Sequence, residues 1–188
     1  MRRLTTIGGA LTILGLIGCG GSSGSGSCAT PDSPAVFELG TGETCFARLT
    51  SGQIVPEIAG PQGGFHVWAA VGCGDCGAET IVEFGTKNAK TQAWLQGVPE
   101  KQKVDLGTGD WGQHAGLTAF LPGDVMNAPD EQLPEGAHVI LSLRALDPEG
   151  NELHAAEIPL VLGKRVSWSG CSTDATCGTS GFEPCCSK

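Results

Sequence analysis

The run HVILSLRAL (His138–Leu146), with the DPEGN that follows it (Asp147–Asn151) and the return from Leu153 to Leu162, decides how the chain folds. Val139, Leu141, Leu143 and Ala145 alternate onto one face. His138, Ser142 and Arg144 fall on the other, beside Ile140 and Leu146. A two-residue period of this kind belongs to a strand with one face mainly in a core. Pro148 sets φ early in the turn and Gly150 is free to take positive φ, so the run should reverse into a hairpin. Pro159 has no N–H to give a ladder, which predicts that the returning strand lies at a sheet edge.

Upstream, short apolar stretches follow one another between glycine, proline and aspartate. The candidate strands are Val36 to Leu39, Cys45 to Thr50, Gln53 to Ile58, Phe65 to Val71, Thr80 to Phe84 and Gly116 to Leu121. Phe65 to Val71 is apolar on both faces, as a central strand would be. Lys87 to Leu95 has the alternative of a short helix, with Ala89, Ala93 and Trp94 near one face. Many short strands at this spacing predict an all-β chain. The D-x-x-G-N turn after an alternating strand resembles the last hairpin of bacterial immunoglobulin-like and fibronectin type III-like domains. That resemblance implies an immunoglobulin-like antiparallel β-sandwich, expected over residues 28–164. The Cys–Trp–Cys spacing of antibody domains is missing, and with no tyrosine there is no tyrosine corner. A jelly roll is the alternative.

The other end of the chain speaks to location. Met1-Arg2-Arg3 is basic and Leu4 to Ile17 is apolar apart from small residues and threonines, the layout of a secretory signal peptide. The apolar run is shorter than the ~20 residues that span a bilayer as a helix. Leu16-Ile17-Gly18-Cys19 resembles the lipobox of bacterial lipoproteins. The resemblance implies cleavage after residue 18, with Cys19 lipidated on sulfur (palmitate or a similar acyl chain) and acylated on its new amino group. Two or more acyl chains give stable anchoring, at about 0.8 kcal/mol per buried methylene. By the same resemblance, Gly20 in place of aspartate points to the outer membrane. The competing reading is an ordinary signal peptide cut elsewhere. Gly20 to Ser27 holds only glycine and serine and makes a flexible tether spanning roughly 15 Å.

The formal charge is −9, and loss of Arg2 and Arg3 makes the mature chain more acidic. Such a chain is repelled by nucleic acid, so no nucleic-acid partner is expected. Of nine cysteines, eight remain if Cys19 carries lipid: Cys28, Cys45, Cys73, Cys76, Cys171, Cys177, Cys185 and Cys186. An even count in an exported chain argues for disulfides. About a hundred pairings are open to eight cysteines, although Cys28 is naturally stapled to something near, such as Cys45. Residues 165–188 form a small polar tail. There C-S-T-D-A-T-C (Cys171–Cys177) resembles the C-x-x-D-x-x-C repeats of cysteine-rich bacterial surface proteins, which implies a disulfide knot.

Several constellations bear on chemistry. GPQGGFHVW (Gly60–Trp68) resembles a G-x-Q-G-G-x-H-x-W segment of bacterial lipoproteins, a resemblance that brings no activity with it. It puts His66 and Trp68 on one side of a strand, as the candidate ligand-binding pair: His66 for a metal, or Trp68 as a platform for a sugar ring. In the competing reading, which an apolar strand favours, Trp68 anchors the core and His66 is a strand-end residue bonded to a carbonyl. Cys73-Gly-Asp-Cys76 is a C-x-x-C, and export favours a structural disulfide there. A thiol redox centre would need a helix to follow, and a zinc site would need further ligands from His66 or the tail. The four histidines, His66, His114, His138 and His154, show no ligand spacing. Asp105, Asp110 and Asp124 sit in turn-like surroundings, with a weak calcium site as the alternative. Ser167 and Ser169 lie in no nucleophile elbow, and no glycine-rich loop leads from a strand into a helix. The expected protein is a lipid-anchored, non-enzymatic binding or structural module without cofactor, meeting a protein or glycan partner. The alternatives are a metal or thiol redox protein built on His66 with Cys73 and Cys76, or a glycan binder using Trp68, Trp94 or Trp111.

Overall fold

The computed structural model describes residues 28, 31–32, 35–60, 63–107, 110–124 and 131–167. Cys19 with the rest of the lipobox, the Gly20–Ser27 tether, Pro61-Gln62, Ser169 and the tail cysteines Cys171, Cys177, Cys185 and Cys186 lie outside the described residues. Among the described residues the elements are all strands: β1 (Phe37–Thr41), β2 (Ala47–Arg48), β3 (Gln53–Ala59), β4 (Gly64–Cys73), β5 (Thr80–Asn88), β6 (Glu100–Val104), β7 (Gly112–Asp124), β8 (His138–Leu146) and β9 (Glu152–Ser167).

The architecture is an all-β sandwich made by one sheet curling over itself. Its hydrogen-bonded order is β2-β1-β4-β3-β9-β8-β5-β6, with β7 on the other side of β4. β1 takes the C-terminal half of β4 and β3 takes its start, since Leu39 pairs with Val71 and Ile58 with His66. β7 runs the length of β4. The second layer is β9-β8-β5-β6, antiparallel throughout. β3 joins the layers by pairing parallel to β9. Between them lies a single core drawn from both, including Phe65, Val67, Ala69 and Val71 of β4, Leu117 and Leu121 of β7, and Leu141 and Leu143 of β8. Each fully buried large apolar side chain of this kind contributes about 1.5–3 kcal/mol.

β8 and the turn after it follow from their residues. Val139, Leu141, Leu143 and Ala145 are almost fully buried. Asp147 Oδ1 accepts from Asn151 N at 2.7 Å, and Gly150 has φ 89°. β4 is buried from Phe65 to Cys73, as its two apolar faces demand.

Two expectations are corrected. β9 is interior, flanked by β8 and β3, although it contains Pro159. In an extended strand a residue's N and O point the same way, and Pro159 O accepts from Gly52 N at 2.7 Å. The missing donor therefore faces the turn just before β3 and removes no bond to β8. Lys87 to Leu95 is not a helix. Asn88 closes β5 and its Oδ1 accepts from Lys90 N and Thr91 N at 2.9 and 3.1 Å. Gln92 then takes a φ of 62°, and the chain returns so that Trp94 bridges Lys87. A local side-chain turn outcompetes the helical pattern here.

Candidate functional site

Two places gather chemistry-bearing side chains. The first is the corner after β4. Cys73 is the last residue of that strand, paired with Phe37 of β1 on one side and Gly112 of β7 on the other. Gly74 N donates to Val36 O at 2.8 Å and begins a tight turn. Asp75 and Cys76 follow, and Gly77 at φ 85° redirects the chain into β5. Thr80 Oγ1 donates to the carbonyls of Cys76 and Gly77, each at 3.0 Å, and steadies the turn. The turn brings Cys73 and Cys76 together as a disulfide with Cα atoms 5.8 Å apart. No helix follows the pair, so the N-terminal helix field that lowers thiol pKa in thioredoxin-like proteins is missing.

His154 reaches this corner from β9. Its ring stacks on Phe37 with centroids 5.3 Å apart, and its Nε2 lies 2.6 Å from Asp75 Oδ1. Cys73 Sγ is 3.5 Å from the same carboxylate oxygen. One donor atom from each of Cys73, Asp75, Cys76 and His154 thus falls within 4.8 Å of the others. Cys73 is buried, Cys76 and His154 are half-buried and Asp75 is exposed, so the cluster opens to solvent on the Asp75 side.

The second place is the start of β4. His66 and Trp68 project on one side with ring centroids 4.7 Å apart, edge to face, and Phe120 of β7 is 6.4 Å from His66. His66 is 2% exposed and Trp68 6%. Burial lowers the His66 pKa from 6.5 to about 4, so the imidazole is neutral near pH 7. Trp68 is a core residue and offers no open ring face for a sugar. Trp111 covers Gly72, and Trp94 packs over Gly85 with Lys87 Nζ 4.4 Å from its ring.

The structure does not bring His66 to the C-x-x-C. The two lie seven residues apart on one extended strand, about 23 Å, so a metal or redox centre shared by His66, Cys73 and Cys76 is ruled out by geometry. The four histidines do not converge either: His66 is paired with Phe120, His114 with Val71, His138 with Val161 and His154 with Ala145. Asp105 shapes a turn, accepting from Gly107 N at 2.7 Å. Sequence reasoning missed Asp75 and His154. Asp75 lay inside the quoted motif, but nothing in the spacing ties it to a histidine 79 residues later.

The buried carboxylates are held in ion pairs. Glu83 accepts from Arg144 at 2.8 Å and from Lys101 at 3.1 Å, and Arg144 also reaches Glu152 at 2.7 Å. Burial pulls the Glu83 carboxyl up, but the hydrogen bonds from Lys101 and Arg144 outweigh it and hold it below the usual range. Glu57 accepts from Arg165 at 2.9 Å, and that guanidinium sits 3.9 Å over Phe65. Beside it is a cleft of about 370 Å³ lined by Glu57, Gln132, Leu133, Pro134, Glu135, Gly163 and Arg165.

Fold and corner together define a disulfide-bonded, all-β module. Cys28 is bonded to Cys45 as well as Cys73 to Cys76, the state of a chain that folds in an oxidising compartment outside the cytoplasm. No protein-family model and no curated protein matches the sequence. Among solved structures, the CooA pilin subunit from enterotoxigenic Escherichia coli is similar at a TM-score of 0.33 and 13% identity, over 69% of this chain and 99% of that one.

Proposed function

We propose that the chain is a lipid-anchored extracytoplasmic lipoprotein whose immunoglobulin-like sandwich serves as a non-enzymatic binding or structural module. The observation that carries this reading is the combination of a lipobox-like N-terminus with a disulfide-bonded β-sandwich that begins within ten residues of it. A glycine-serine tether between them would hold the sandwich close to a membrane and leave it free to turn. His66 and Trp68 are spent on packing, and the buried carboxylates are spent on ion pairs. Such use of polar groups supports a scaffold that presents surface to a protein or glycan partner. Gly20 behind Cys19 favours the outer membrane.

Expression of the full chain in a two-membrane bacterium tests the reading. The wild type should fractionate with membranes, and its N-terminal peptide should begin at Cys19 and carry acyl mass. Cys19→Ser should release the protein from the membrane fraction with its sandwich intact. A wild-type protein that is soluble and cleaved elsewhere would remove the anchor from the proposal.

A further inference from the structure

We infer that the corner after β4 is a redox-gated divalent-metal site: closed as the Cys73–Cys76 disulfide, and completed on reduction by both thiolates together with His154 and Asp75. It goes beyond the anchored-module reading and does not depend on it. The donors come from independent, well-held places. Cys73 is fixed at the end of a central strand between β1 and β7. His154 is fixed on β9 opposite Ala145 and stacked on Phe37. Cys76 and Asp75 sit in the turn that Gly74 and Thr80 brace. Preorganisation of this sort is what a metal centre requires of its scaffold.

The geometry is near what zinc needs. Two donors on a tetrahedral zinc are roughly 3.3–3.8 Å apart, and these four lie within 4.8 Å of one another. The C-x-x-C spacing is that of a zinc-binding pair. Two soft sulfurs with one imidazole and one carboxylate select zinc over calcium or magnesium. The carboxylate oxygen now 2.6 Å from His154 Nε2 would exchange that contact for the ion, as would the imidazole. Asp75 is exposed, so the ion has an entry path.

Gating follows from sulfur chemistry, since a thiolate is a ligand and a disulfide sulfur is a poor one. A dithiol reductant transfers two electrons and two protons to the Cys73–Cys76 bond. That bond breaks, two thiols form, and the reductant leaves as its own disulfide. Zinc then binds as the two thiols release their protons to solvent. In the oxidised state only His154 and Asp75 remain, too few to hold the ion.

The test uses the full chain, oxidised or reduced with a dithiol that is then removed without air, and titrated with cobalt(II) and zinc(II). The reduced protein should take up cobalt with thiolate-to-metal charge-transfer absorption that zinc abolishes, and the oxidised protein should show none. Reduction also frees the other cysteines, so the deciding variants leave sulfur untouched. His154→Ala and Asp75→Asn should each weaken the binding at least about tenfold. Zinc should protect Cys73 and Cys76 from alkylation, mapped peptide by peptide, in the wild type and not in His154→Ala. If the reduced protein takes up no metal, or if His154→Ala leaves affinity and protection unchanged, the inference is overturned.

Discussion

His66 is a neutral imidazole in the core, its pKa lowered by burial from 6.5 to about 4. Above pH 6.5 neither the folded nor the unfolded chain carries a proton there, and the stability is fully present. As the pH falls below 6.5 the unfolded chain binds a proton that the folded chain accepts only near pH 4. Acid therefore destabilises the fold across that window, by up to about 3 kcal/mol. Urea denaturation at pH 7 and pH 4.5 should show this loss in the wild type and a smaller one in His66→Gln. Gly112 is a second sensitive position, because a Cβ there would stand 1.4 Å from Leu106 O, which is backbone and cannot swing away. Gly112→Ala should lower stability by about 3 kcal/mol or more, seen as a fall in Tm, or prevent folding.

At the scale of strands, the Glu83 pair ties β5 to β6 and β8 through Lys101 and Arg144. Arg144→Ala leaves the buried carboxylate with Lys101 alone and should cost about 1–2 kcal/mol, moderated by the exposure of Arg144. Glu83 has a folded pKa below its unfolded value, so this contribution is present above the ordinary carboxylate pKa and disappears as the pH falls through the lower one. Denaturation of Arg144→Ala and wild type should therefore converge in acid. Strands such as β4 and β8 were legible because they are apolar nearly throughout, and both are buried along almost their whole length, β4 from Phe65 to Cys73 and β8 from Val139 to Leu146 apart from the half-buried Arg144. β6 was not: Glu-Lys-Gln-Lys-Val is polar almost throughout and exposed up to Val104. It is an edge strand, where lysines discourage pairing with another chain. Pro159 misled for a related reason: it faces the turn before β3 and so removes no bond to β8. Sequence says that a donor is missing, but only the register says which neighbour would have received it.

For the molecule as a whole, the least legible feature was the parallel β3–β9 pairing that joins the two layers. No local period encodes which distant strands meet. The same limit hid His154, since the meeting of β9 with the corner after β4 is a property of the closed sandwich. Spacing did carry the cysteine pairs, because a bond over 17 residues and one over 3 both close short loops. Longer loops restrict the unfolded chain more, so removing Cys28–Cys45 should cost about 3 kcal/mol and removing Cys73–Cys76 about 2. Paired Cys→Ser variants, compared by denaturant midpoint at pH 7, give the order directly.

The Cys28–Cys45 bond also sets how the protein would carry tension. A pull on the chain ahead of Cys28 passes through the sulfurs to Cys45, next to β2, and bypasses residues 29–44, which include β1. β1 is thus shielded from peeling away from β4, and the load enters the sheet one strand later. Under a stretching force, the length locked in that loop, roughly 60 Å of extended chain, would be released only after the bond is reduced.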